Sequence, residues 1–174
     1  FPGQFRDLAP SLVRRGHELR AISNSDRVSH PSIQISRYQL GKPERQGIHP
    51  LTNEIDEWIR RSELVARKAE SIKQEGWAPD VILAHPGWGE TLLLREIFPS
   101  AGLILWPELW LSPEQMGAKF PEELDLSQKH YLRTKNGLLD VALSEASLAI
   151  VPTNYQAKSF PNRHQKKLRV IHEG

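Results

Sequence analysis

Pro79-Asp80-Val81-Ile82-Leu83-Ala84-His85-Pro86-Gly87-Trp88-Gly89-Glu90 is the stretch on which the reading of this chain turns. Four consecutive apolar residues, Val81 to Ala84, lie between a Pro-Asp start and a His-Pro-Gly stop. So short a run between breakers reads as a strand buried on both faces, the kind found in parallel sheets. The crowded apolar residues from Glu90 to Phe98 predict a closely packed helix next. Strand, glycine-bearing turn and helix are the parts of an α/β binding site. Ligands in such sheets lie beyond the carboxyl ends of the strands, where His85 to Glu90 would stand.

Upstream, Leu51, Ile55, Trp58, Ser62, Val65, Ala69 and Ile72 step by four and three along one face of a long helix. Thr52 or Asn53 can cap its start, and Gly76 ends it. Residues 41–50 hold two glycines and two prolines and read as irregular. His17 to Ser23 reads as a strand, Ile33 and Ile35 alternate as in a second, and Asn24 to Pro31 is a polar loop. Phe5, Leu8, Ala9, Leu12 and Val13 outline a first helix closed by Arg14, Arg15 and Gly16. Pro10 should kink that helix or mark a second start. No strand precedes it. Pro2-Gly3 would be the first turn of a strand–turn–helix half, so a strand upstream of Phe1 is expected, and truncation at both ends.

Downstream, Gly102 to Trp106 is another buried strand, followed by a loop from Pro107 to Leu126 broken by Pro113, Gly117 and Pro121. A helix over about Ser127 to Ala146 places Leu132, Leu139, Ala142 and Ala146 on one side. Leu148 to Val151 is a strand, Thr153 caps a short helix ended by Pro161, and Leu168 to Ile171 is the last strand. The alternation predicts an α/β fold class: one Rossmann-like domain over residues 1–174, with a doubly wound, mostly parallel sheet and helices on both faces.

With 174 residues, 39% hydrophobic and 25% charged, the chain is one globular domain of ordinary size. A net charge of +2 is too small for a nucleic-acid footprint, so no nucleic-acid partner is expected. The absence of cysteine excludes disulfides and thiolate metal sites. The seven histidines show no pair at metal-ligand spacing, so no metal is expected. No apolar run approaches a membrane span.

Neither Gly-x-Gly-x-x-Gly at the first helix nor Gly-x-x-x-x-Gly-Lys-Ser/Thr is present, which removes the main support for dinucleotide and P-loop readings. Gly87 and Gly89 flank Trp88; they either let backbone amides approach a ligand or serve a tight turn. His85 is either a ligand-facing donor, acid or base, or a histidine bonded to neighbouring backbone. Glu90 is a ligand contact or a first-turn carboxylate favoured by the helix dipole. Glu108, between Trp106 and Trp110 in the next strand's exit, faces the same edge as His85. Indole faces stack on sugars and bases, although tryptophans are more often core. Glu114 and Glu122, spaced as in some sugar-transfer enzymes, fall in a broken loop and read as coincidence. The basic run Arg163, His164, Lys166, Lys167, Arg169 reads as a solvated loop, with a phosphate site as the minor alternative.

Phe1-Pro2-Gly3-Gln4-Phe5, Leu8-Ala9-Pro10 and Arg15-Gly16-His17-Glu18 together resemble the start of glycosyltransferase family 4 proteins. Pro79 to Glu90, Trp106-Pro107-Glu108-Leu109-Trp110 and Pro152-Thr153-Asn154-Tyr155-Gln156 resemble the family too, and Val170-Ile171-His172-Glu173-Gly174 resembles its passage between domains. The resemblance covers most of the chain, weakly from about 24 to 76. It implies one half of a GT-B fold, the N-terminal, acceptor-binding domain. The nucleotide-sugar donor would be held by a C-terminal domain, and transfer to an acceptor hydroxyl would proceed with retention. His85 matches the family's histidine after the strand and is the candidate catalytic residue. Gly3 matches the first-turn glycine; with Gln4, Gly87, Trp88, Gly89, Glu90 and Glu108 it makes up the candidate substrate-binding set. The implied partners are a nucleotide sugar, acting as substrate with no further cofactor, a carbohydrate or lipid-linked acceptor, and the C-terminal domain. A cytoplasmic, bacterial, hexosyltransferase-type enzyme of polysaccharide biosynthesis, with peripheral contact to the inner membrane face, is the matching expectation. This fragment alone is expected to be inactive. The competing reading is a non-enzymatic α/β module binding a nucleotide, sugar or protein.

Overall fold

Every neighbouring pair of strands among the described residues runs parallel, so each connection must carry the chain back across a face of the sheet. The structure is a computed structural model that describes residues 3–26, 29–42, 47, 49 and 52–172. Its strands are β1 (Leu19–Ser23), β2 (Ile33–Arg37), β3 (Val81–Ala84), β4 (Gly102–Leu105), β5 (Leu148–Val151) and β6 (Leu168–Val170). The return paths are carried by α1 (Leu8–Arg14), α2 (Asn53–Gln74), α3 (Leu94–Ile97), α4 (Leu126–Glu145), α5 (Asn154–Ser159) and α6 (Asn162–Gln165). The architecture is α/β, with parallel sheets flanked by helices in the Rossmann-like manner.

Two apolar clusters meet at the sheet. Leu103, Leu105, Ala149 and Val151 pack with Leu139 and Leu143 of α4, while Val65, Ala69 and Ile72 of α2 pack with Leu94 and Phe98. Ile82 of β3 touches both clusters, so helices cover both faces of that strand. Flanking helices suit the unbroken apolar run Val81 to Ala84, but the expected burial on both faces is not met: Val81 is 52% exposed and Ile82, Leu83 and Ala84 are only partly buried.

The sheet is divided. Strands β3, β4, β5 and β6 form one sheet in that order, and β1 and β2 form a separate pair. Tyr38, just past β2, bonds Glu90, just past β3, so the carboxyl ends of the two sheets face the same way. Between β1 and β3 lies a cavity lined by residues of both strands.

Local details correct several expectations. Of the two readings of Pro10, the second start holds and the kink does not: α1 starts at Leu8, which puts Pro10 in the first turn, where a missing N–H costs nothing. Gly3–Phe5 forms a separate 3-10 turn before it. The helix expected over Glu90 to Phe98 shrinks to the single turn of α3, although Leu94, Ile97 and Phe98 are buried as their crowding implied. α2 buries Trp58, Ser62, Val65, Ala69 and Ile72 and, unexpectedly, Arg61; Leu51 lies outside the described residues, as do Phe1-Pro2 and Glu173-Gly174. α4 is opened by Asp125 and Gln128, each side chain bonding the other's backbone N–H. The basic run near the end is not a solvated loop. Arg163 and His164 lie in α6 and bond Asp140, while Lys167 Nζ donates to the Leu143 and Ser144 carbonyls at the end of α4.

Candidate functional site

β3 ends at Ala84, and Pro86 cannot donate to a ladder, so the chain turns. The turn is built around the imidazole of His85, whose Nδ1 accepts the Gly87 N–H at 3.0 Å. A Cβ on Gly87 would stand 2.3 Å from His85 Cε1, so only glycine fits beneath the ring. Both the absent side chain and the amide of Gly87 therefore serve His85 directly.

With Nδ1 accepting, the proton of the neutral ring sits on Nε2. The ring stays neutral at pH 7, because burial pulls its pKa below the ordinary histidine value against the opposing pull of Glu108 and Glu90. His85 is only 17% exposed in its side chain, far less than a strand-end position suggests, and its Nε2 has no hydrogen-bond partner. Glu108 Oε1 lies 3.7 Å away, beyond hydrogen-bond reach. At neutral pH the two form a polar contact and not a salt bridge.

Glu108 extends from the exit of β4, with its side chain 69% exposed. Gln4 Nε2 donates to Glu108 Oε1 at 3.4 Å, a long bond across 104 residues of sequence. Phe5 holds the Gly3–Phe5 turn there by packing edge-on against Trp106, with centroids 6.1 Å apart. Gly3, Gln4, His85 and Glu108 thus line one mouth of the cavity, which has a volume of about 1300 Å³.

Trp88 caps the rim and is 54% exposed. Lys135 of α4 ties it down: the ammonium lies 4.9 Å from the Trp58 ring and 5.8 Å from Trp88, and pairs with Glu54 at 2.7 Å. Gly89, at φ +84°, lets the turn lie directly on α2, where a Cβ would come 2.5 Å from the Trp58 carbonyl oxygen. Glu90 points inward. It accepts the Tyr38 hydroxyl at 2.5 Å, and Arg61 bonds both Tyr38 and Glu57. Burial and then Glu90 push the Tyr38 pKa far above its ordinary value, so the phenol stays a donor.

Not every expected residue gathers here. Trp110 packs against Phe160 and His164, with Arg163 over its ring. Glu114 and Glu122 are exposed in two separate 3-10 turns, Pro113–Met116 and Pro121–Glu123, and do not line the cavity. Tyr38 and Arg61 were missed. An arginine set within the apolar stripe of α2 was the available sign, since a buried charge must have a partner. Among the described residues no cluster of His, Asp or Glu could hold a metal ion, and no helix is long and apolar enough to cross a membrane.

A family model described as Glycosyl transferase family 4 group matches residues 15–174. The chain belongs to this family. No curated protein matches it. Membership makes glycosyl transfer the general chemistry of this glycosyltransferase domain, with a sugar donor and an acceptor as its substrates. His85, Trp88 and Glu108 fall within the matched residues, whereas Gly3 and Gln4 precede them.

Proposed function

We propose that residues 1–174 form the N-terminal, acceptor-binding domain of a retaining, hexosyltransferase-type enzyme that moves a sugar from a nucleotide-sugar donor to an acceptor hydroxyl. One observation carries the reading: His85 holds an unpartnered Nε2–H beside Glu108 at the carboxyl edge of the sheet. A neutral imidazole donor can bond a sugar oxygen, and a carboxylate can accept from a sugar hydroxyl. Trp88 offers an exposed indole face for the apolar side of a pyranose. Gln4, bonded to Glu108, completes a rim of donor, acceptor and aromatic groups suited to a carbohydrate or lipid-linked acceptor.

Retaining transfer passes through an oxocarbenium-like state while charge gathers on the leaving diphosphate. Among the described residues the cavity holds Glu90 and Glu108, and its arginines, Arg20 and Arg61, are paired with Glu75 and Glu57, so it is a poor place for that charge. The donor diphosphate is assigned instead to a C-terminal domain across a cleft. His85 then contributes a hydrogen bond that strengthens as positive charge develops on the sugar. The same reading places the enzyme in the bacterial cytoplasm, in polysaccharide biosynthesis, with peripheral contact to the inner membrane face. It requires no cofactor beyond the donor substrate.

Calorimetric titration of this 174-residue chain with acceptor glycans and with nucleotide sugars tests the assignment. The expected result is weak acceptor binding, no nucleotide-sugar binding and no sugar transfer. Transfer by this chain alone, or nucleotide-sugar binding without acceptor binding, overturns it.

A further inference from the structure

The two walls of the mouth stand on different loops, Trp88 in the turn after β3 and Glu108 in the exit of β4. Parallel pairing of β3 with β4 fixes where each strand ends, and the Trp106 N–H still donates to the Ala84 carbonyl at 2.9 Å. Beyond that bond the two loops part. A sugar held between an indole and a carboxylate needs both at a set separation. Two successive residues of α4, Lys135 and Asn136, reach one loop each.

Lys135 serves the Trp88 side. Its side chain is only 17% exposed, and its ammonium lies 5.9 Å from the Tyr131 ring as well as beside Trp58, Trp88 and Glu54. Three rings and a carboxylate around one cation join α2, α4 and the turn at a single point. Trp88 is more than half exposed, so burial alone does not fix its ring. The cation over its face supplies the missing constraint.

Asn136 serves the other side. Its Oδ1 accepts the Leu111 N–H at 3.0 Å, and its Nδ2 donates to the Leu111 carbonyl at 2.8 Å. One side-chain amide thus pairs both main-chain groups of a loop residue, as a neighbouring strand would. Pro107 is fully buried and the Trp110 N–H donates to Ser159 Oγ at 3.1 Å, so Glu108 projects from a segment pinned on both sides. Successive helix residues point about 100° apart, which lets one turn of α4 address two loops.

We propose that Lys135 and Asn136 are positioning residues that clamp the two loops, set the gap between Trp88 and Glu108, and so tune the affinity of the mouth for a pyranose. The inference rests on the sugar-binding reading given above. Neither residue lines the cavity, so each acts through the wall it holds.

The test uses the 174-residue chain labelled with 5-fluorotryptophan, with the Trp88 resonance assigned by Trp88→Phe. Lys135→Met keeps an apolar stem and removes the cation, Lys135→Arg keeps the cation, and Asn136→Ala removes the paired amide. Lys135→Gln and Asn136→Ser replace any variant that fails to fold. Lys135→Met is expected to move the Trp88 fluorine signal toward that of free tryptophan in water, and Lys135→Arg to leave it near the parent position. Asn136→Ala is expected to speed exchange of the Leu111 amide by about 10-fold or more while the Trp88 signal stays in place. Titration with methyl glucopyranoside, galactopyranoside and mannopyranoside supplies the functional readout. Lys135→Met and Asn136→Ala should each weaken binding about threefold to tenfold, the scale of one misplaced aromatic contact, and Lys135→Arg should bind as the parent does. An unmoved Trp88 signal in Lys135→Met, an arginine variant that behaves like the methionine one, or an unchanged Leu111 amide in Asn136→Ala overturns the clamp. Parent-like pyranoside affinity in both variants overturns the positioning role. A parent that binds none of the three sugars overturns the sugar reading and the affinity claim with it, while the fluorine and amide responses still decide the clamp.

Discussion

His164 and His85 each stand beside a carboxylate, in opposite circumstances. His164 is 5% exposed, its Nε2 lies 2.6 Å from Asp140 Oδ1, and Arg163 bonds the same oxygen at 2.8 Å. Trp110 covers the ring, with centroids 5.9 Å apart. His164 Nε2 and Arg163 Nε both meet Asp140 Oδ1, and the group binds α6 to α4. His85 is fixed at Nδ1 just as firmly, yet its Nε2 stops 3.7 Å short of Glu108. Buried polar groups are nearly always satisfied; among the described residues His85 Nε2 is one of six buried side-chain atoms without a partner, and it is the one placed beside Glu108. The closed pair ties α6 to α4, and the open one is the contact proposed above for a sugar oxygen.

The largest expected effect falls on the open side. In the two-domain transferase proposed above, His85→Ala should lower kcat by roughly 100-fold or more, the scale of one lost oriented donor or acid–base group. His85→Asn serves as its partner, because Asn can still accept the Gly87 N–H while losing the reach of Nε2. Both variants should be equally slow, and the Asn form should unfold at nearly the native temperature. Normal turnover by either one makes His85 structural.

Breaking the closed pair should do the reverse. Asp140→Ala leaves His164 Nε2 buried without a partner and releases Arg163, at a cost of about 1–3 kcal/mol. Urea unfolding measures that loss, and steady-state assays of the proposed two-domain transferase should show unchanged kcat. A variant as stable as the parent would mean the Asp140 contact contributes nothing.

The smallest effect is in the pH dependence. Because burial lowers the His85 pKa in the folded state, the unfolded chain takes up that proton first as pH falls. The associated stability is fully present above about pH 6.5, the ordinary histidine value, and drains away as pH drops toward the lowered folded value. Asp140 titrates in a separate window, since Arg163 first and His164 next hold its carboxyl below the usual range. Its contribution is present above about pH 4 and is lost only as pH falls further. Thermal scans from pH 8 to 5 should thus show a small decline that disappears in His85→Asn. An identical decline in both proteins would remove His85 as its source.

The fold was open to reading wherever local pattern and packing agree. Val81 to Ala84 is a strand as read, but not a buried one, since Val81 is exposed and Ile82 to Ala84 are only partly buried; the step of four and three in α2 is one face of a helix as read. Boundaries failed where side chains decide them. Asp125 rather than Ser127 opens the region of α4 because Gln128 answers it, and α3 shrank although its apolar residues were correctly read as buried. At the site, proximity in space was the part that could not be read. His85 and Glu108 were expected at one edge from the order of strands, but Gln4 reaching Glu108 and Tyr38 reaching Glu90 depend on tertiary contacts across 104 and 52 residues. The basic run misled because charge alone suggests solvent, whereas Lys167 caps helix carbonyls and Arg163 covers an indole.

Gly87 carries one more consequence, a genetic one. Its backbone angle is not among the left-handed ones, so any residue could adopt it; what bars a side chain is the imidazole two positions earlier. The two codons are therefore coupled in one direction. While the His85 imidazole keeps its present position, a side chain at position 87 would have to displace it. A lineage that first exchanged His85 for a small residue would find position 87 open to drift, and a histidine that then returned could not take its present position until glycine was restored.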